Sequence, residues 1–359
     1  MPGLTYRKGG AVSLVQDQDI FLHVTDLHVS SSICRGSRYL PQIIDVSEDA
    51  TEITLGGELK RSASNTHGQE EGENREGMLV MLTHLHGLAE QRMQELGLHK
   101  ISVLGVWYAI AYCERDQYGS AKDELKAWFE KWYATSIERF ELDIDSARGL
   151  AFPCQLFDHA LAFARVTKWL AYNHVGYVKQ RPPKGFKGHR GFHPPPGEFV
   201  GPVNHARSGL KTTLHKSLYK KCGHLLRYKT SDCECWAPTV GHCFAALTKI
   251  ECFPVEDIIS YTSVSQILSR LSTFKYDYIP ACQNCRAMEW EVVVLKAKSN
   301  TEKYFDGLCL DCMDRMDGRW DTNCRIKHNQ STWYVSWLGK PNVREKIMRG
   351  PDGYDEEEY

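Results

Sequence analysis

Helical spacing dominates the chain from residue 78 to residue 273. Met78, Met81, Leu82, Leu85 and Leu88 repeat at intervals of three and four; so do Val103, Trp107, Ile110 and Ala111. Leu125, Trp128, Phe129 and Trp132 form the clearest stripe, and Val166, Trp169 and Leu170 continue the pattern. Side chains three and four apart lie above one another on a helix, so each set lines one apolar face. The tryptophans in these stripes read as core. A further helix is predicted from Asn204, with Ala206, Leu210, Leu214 and Leu218 inward and Arg207, Lys211, Lys216, Lys220 and Lys221 on its other faces. The run 244–247 starts another, and Val264, Ile267, Leu268 and Leu271 mark an amphipathic helix over 262–273.

Outside this stretch the rhythm is extended. Residues 20–24, 27–29 and 53–55 read as strands, as do 290–295 and 332–338. Serine at 30 or 31 is a good N-cap for a short helix ending before Pro41. Residues 57–76, rich in Gly, Ser, Glu and Asn, predict a loop. Residues 181–196 are dense in Pro and Gly and suit neither a helix nor an inner strand. That segment interleaves Phe186 and Phe192 with Lys184, Lys187 and Arg190, which can serve a solvated tether or touch RNA.

Composition narrows the function class. A chain of 359 residues predicts two or three domains. A formal net charge of -1 is not that of a polycation built for nucleic acid. No run of 18 apolar residues predicts a membrane span, and residues 1–8 lack the apolar core of a signal peptide. Thirteen cysteines, an odd number, then argue for a reducing compartment, nucleus or cytoplasm, where clustered thiols hold metal. Ten of the thirteen lie between Cys222 and Cys324.

The sharpest motif is Cys282-Gln-Asn-Cys285, then 23 residues, then Cys309-Leu-Asp-Cys312. Two such hooks can offer four thiolates to a tetrahedral Zn²⁺, which makes a closed structural site. Buried apolar cysteines or a redox pair are the other readings. Cys324 and His328, spaced Cys-x3-His, can replace one thiolate or seed a second site with His224 or His242. Cys222, His224, Cys233, Cys235, His242 and Cys243 crowd into 22 residues and can hold a second zinc, through Cys222, Cys233, Cys235 and His242 or Cys243. They can equally be thiols buried at a helix entry. Asp314, Asp317 and Asp321 form a carboxylate cluster or a polar loop.

Residues 19–24, 28–40 and 78–85, with the helix pair 103–113 and 122–132, resemble the BTB/POZ domain in the form common in fungal proteins. Residues 204–211, 304–315 and 324–334 resemble the C-terminal region of fungal BTB-domain proteins. The resemblance implies an α+β fold: a BTB/POZ-like domain at 18–135 after a lead-in at 1–17, with a helical extension at 136–178. A basic linker at 179–203, a helical Cys/His segment at 204–275, a zinc-ribbon-like domain at 276–345 and an acidic tail at 346–359 complete it. It also implies protein partners: a second copy in a homodimer, or a cullin-type ubiquitin ligase.

No His-Glu-x-x-His, Gly-x-Ser-x-Gly, phosphate loop or dinucleotide fingerprint occurs. The expected function is therefore a non-enzymatic adaptor with a structural zinc site. The second reading is a nucleic-acid-associated regulator that uses the zinc module and the basic residues at 179–229.

Overall fold

The computed structural model describes residues 12–13, 20–22, 27–29, 52–53, 68–85, 98–115, 121–136, 141–186, 199–228, 235–279, 282, 289–313 and 324–327. The chain divides into two compact units. One comprises Met1–Ala162, Arg181–Gly197 and Asn342–Tyr359; the other comprises Phe163–Gln180 and Glu198–Pro341.

The fold class is corrected from α+β to mainly helical. Four strands of two or three residues, β1 (Val12–Ser13), β2 (Ile20–Leu22), β3 (Leu27–Val29) and β4 (Glu52–Ile53), pair in the order β1-β3-β2-β4. The expected hairpin is there, with β2 antiparallel to β3. Among the residues whose burial is described, the core lies in the helices and in the segments that join them. The BTB/POZ-like core was to be strand-bearing, and the described core is not.

In the first unit, helix α1 (Gly68–Leu85) packs on α2 (Val103–Arg115). It begins inside the stretch expected to be a loop, where Gln, Glu and Arg favour helix over coil. The two helices approach closely because Gly77 has no side chain: a Cβ there would lie 2.4 Å from Tyr108 Cβ and 2.7 Å from the Ala109 nitrogen. Beside it the buried Glu76 carboxylate accepts from the Ser102 N–H (2.9 Å) and hydroxyl (2.7 Å). Ser102 in turn caps α2 by accepting from the Gly105 N–H at 3.0 Å.

Helix α3 (Ala121–Ser136) buries the predicted stripe Leu125, Trp128, Phe129 and Trp132. Two indoles find carbonyls in the core: Trp132 donates to Ile101 (2.8 Å) and Trp107 to Gly149 of α4 (Ile144–Leu156; 2.6 Å). Asp143 caps α4, accepting from the Ser146 N–H at 2.7 Å. Phe186, from the Pro/Gly-rich segment, packs its ring 5.4 Å from Trp107 and 5.0 Å from Tyr108. It is a packing residue here, and Lys187, Arg190 and Phe192 lie outside the described residues.

His84, at the end of α1, meets Trp128 edge-on at 6.3 Å, and burial lowers its pKa to about 4. It is therefore neutral when folded, whereas the unfolded chain takes up the proton below pH 6.5. Its contribution is complete above pH 6.5 and is lost as pH falls toward 4, for a total of about 3 kcal/mol. Urea unfolding of the first unit at a series of pH values should show that slope, and His84→Leu should flatten it.

The second unit is built on α5 (Ala160–Asn173), from Phe163 onward, and the 29-residue α6 (Val200–Tyr228). It continues with α7 (Trp236–Lys249), α8 (Val255–Ile258) and α9 (Val264–Leu271). Helices α10 (Trp290–Glu302) and α11 (Leu310–Met313) complete it. Ala206, Leu210, Leu214 and Leu218 form the buried stripe of α6, as predicted, and Val203 extends it. Helix α10 stands where a ribbon strand was expected. Trp290, Val294, Ala297 and Thr301 are its buried residues, at intervals of three and four, while Val292 and Leu295 are half-exposed. The three consecutive valines suggested a strand, but only Val294 joins Trp290 and Ala297 on the buried face, and α10 packs on α6, so tertiary contact overrides β propensity.

Candidate metal centre

The approach to the centre is set by α5. The Leu308 N–H donates to the Thr167 hydroxyl at 2.9 Å, and Thr167 donates to the Phe163 carbonyl at 2.7 Å. Gly307, with φ +100°, lies so close to α5 that a Cβ on it would be 2.1 Å from the Ala164 carbonyl oxygen. The Tyr172 hydroxyl fixes the preceding helix end, donating to Thr301 (2.8 Å) and Glu302 (3.1 Å) carbonyls. Residues 307–310 are thereby held in the core, and Leu308, Cys309 and Leu310 are fully buried.

Cys309, Cys312 and Cys324 converge there. Their three sulfurs all lie within 4.8 Å of one another, and all three residues are buried. The Cys312 N–H donates to the Cys309 carbonyl (3.2 Å), closing the first turn. On the other side the Lys327 N–H donates to the Cys324 sulfur at 3.2 Å, with Lys327 left-handed at φ +51°. Asp311 joins the two turns. Its carboxylate accepts from the Arg325 N–H (2.8 Å), Nε (3.0 Å) and Nη2 (2.6 Å), a forked pair that fixes both position and angle. The Cys309 thiol is pushed far up from its usual range by its hydrogen bond with Cys312, by burial and by its two neighbouring sulfurs. Three crowded sulfurs repel as thiolates, and a cation among them removes that penalty. This buried cluster can hold a metal ion.

The cluster combines residues that the sequence motifs kept apart. Cys309 and Cys312 come from the predicted second hook. Cys324, predicted as a substitute, supplies the third sulfur. Cys282 is half-buried and does not join the group, and Cys285 and His328 lie outside the described residues. The Asp311–Arg325 fork was missed, because nothing in the spacing pairs an acid inside one hook with a base 14 residues on. Asp314, Asp317 and Asp321 lie outside the described residues.

Of the second predicted cluster, Cys222 and Cys243 lie near one another, but among the described residues no third ligand joins them. Cys222 and Cys243 are buried, which raises their thiols to about 11 and about 12. Both stay protonated at neutral pH. Cys235 is half-buried, His224 is exposed, and His242 is exposed and stacks on Tyr278 at 4.0 Å. Cys233 lies outside the described residues. Among the described residues, Cys309, Cys312 and Cys324 are the group with ligand atoms close enough to share one ion.

The 204–211 motif proves to be a strap. Asn204 donates to the Val178 carbonyl (2.9 Å) and accepts from its N–H (2.9 Å). The buried Arg207 guanidinium donates to the carbonyls of His174 (2.7 Å) and Gly176, and burial lowers its pKa. It is therefore withdrawn from the basic surface of α6. Arg207→Met would leave two carbonyls without their donor, and should cost the second unit about 2–4 kcal/mol in urea unfolding. A loss under about 0.5 kcal/mol, typical of surface positions, would contradict the strap.

No protein-family model, curated protein or solved structure matches the chain. Among the described residues no helix is long and apolar enough to cross a membrane.

Proposed function

We propose that this chain is a non-enzymatic scaffold for protein partners whose second unit is built around a structural zinc ion. The observation that supports it is the buried Cys309, Cys312 and Cys324 cluster, with side chains no more than 3% exposed. Thiolates are soft ligands that favour Zn²⁺ over hard cations. A site closed to solvent builds structure, whereas a catalytic zinc keeps a position open. The fourth ligand would come from Cys285 or His328, the remaining sulfur and imidazole donors of the predicted motifs. Each of the four ligands would contribute one vertex and none would react.

Hydrogen exchange before and after treatment with a strong zinc chelator tests the reading. Protection of Val200–Tyr228 and Trp290–Met313 should collapse, while that of Val103–Arg115 and Ala121–Ser136 should persist. Unchanged protection in the second unit would remove the zinc from the account.

A further inference from the structure

Within the second unit, α5, α9 and α10 enclose an open groove of about 570 Å³, a volume typical of small-molecule sites. Its lining is rich in donors and poor in acceptors. Arg165, Lys168 and Lys298 supply three cations, against one carboxylate, Glu302. The two lysines are held only loosely by acids: Lys168 meets Asp306 at 3.4 Å and Lys298 meets Glu302 at 3.1 Å, all partly exposed. Such exposed pairs are worth about 0–1 kcal/mol, so an incoming anion can displace them.

The polar face of α9 forms the second wall. Val264, Ile267, Leu268 and Leu271 turn inward, which leaves Ser265, Ser269 and Ser272 at the groove. Ser272 spends its hydroxyl on the Leu268 carbonyl at 3.2 Å. The hydroxyls of Ser265 and Ser269 have no partner among the described residues. Nor does the indole of Trp169, which is half-buried and lines the groove, although its place in an apolar stripe read as core. Two hydroxyls, an indole N–H and two displaceable lysines suit a ligand that accepts hydrogen bonds and carries negative charge. The Trp169 ring adds a flat apolar surface.

We propose that this groove binds a small phosphorylated ligand, its phosphate among Arg165, Lys168 and Ser269 and a planar group against Trp169. The probe is AMP, with inorganic phosphate and adenosine as its two halves, titrated calorimetrically into the full chain with its metal bound. AMP should bind saturably, with a dissociation constant below about 1 mM. It should bind at least tenfold tighter than either half. Ser269→Glu places a carboxylate on an exposed position beside the phosphate and should weaken AMP binding at least tenfold. Ser269→Gln, equal in size and uncharged, should weaken it far less, which separates charge from crowding. The proposal is overturned if AMP does not saturate, if phosphate or adenosine alone binds as well, or if Ser269→Glu binds AMP as the wild type does.

Discussion

Cys309→Ser should melt the second unit while the first keeps its fold. A structural zinc contributes on the order of 10–16 kcal/mol of apparent binding energy, and a whole domain is stable by only about 5–15 kcal/mol. Removing one thiolate costs much of the first sum and exceeds what the second can absorb. The burial of Cys309 between Leu308 and Leu310 means that serine also sets a hydroxyl in an apolar place. Calorimetric unfolding should show two transitions in the wild type, the one that shifts with chelator being lost in the variant. The buried tryptophans of α2 and α3, Trp107, Trp128 and Trp132, should report unfolding where they do in the wild type. A variant with both transitions intact would show that the cysteines only fill space.

The second large effect is expected at Gly307→Ala. Two penalties coincide there. A side chain at φ +100° costs about 1–2 kcal/mol for conformation alone, and the new Cβ would sit 2.1 Å from the Ala164 carbonyl oxygen. Backbone does not give way as the end of a long side chain does, so overpacking adds about 1–3 kcal/mol. A total of about 3 kcal/mol or more is expected in urea unfolding of the metal-loaded protein. Gly176→Ala is the control. Its φ is +77° but nothing lies within 4 Å of the added Cβ, so it should lose only the conformational part. Equal losses in the two variants would contradict the close approach of residue 307 to α5.

Much of the helical core could be read from spacing. The stripes of α3, α6 and α9 appear in the sequence as residues three and four apart, and each is buried as read. Helix α10 could not be, because Trp290–Leu295 is β-prone in isolation and only Ala297 and Thr301, further along, reveal its period. The start of α1 was hidden for a different reason: its first turns are polar, and apolar periodicity is silent there. At the metal centre, the Cys309–Cys312 hook was legible from two cysteines spaced to share an ion. Its joining to Cys324 was only one of several options, because the chain path between residues 312 and 324 is not encoded in spacing. Trp169 illustrates the limit of a stripe, since a helical period fixes a face without fixing how deeply each member is buried.

The central claim is that Cys309, Cys312 and Cys324 share one metal ion. Native mass spectrometry of the purified protein, beside Cys309→Ser, Cys324→Ser and Cys222→Ser, addresses it most directly. One zinc per chain is predicted, lost in the first two variants and retained in the third. A folded wild-type protein without metal, or a zinc that survives Cys324→Ser and departs with Cys222→Ser, would contradict it.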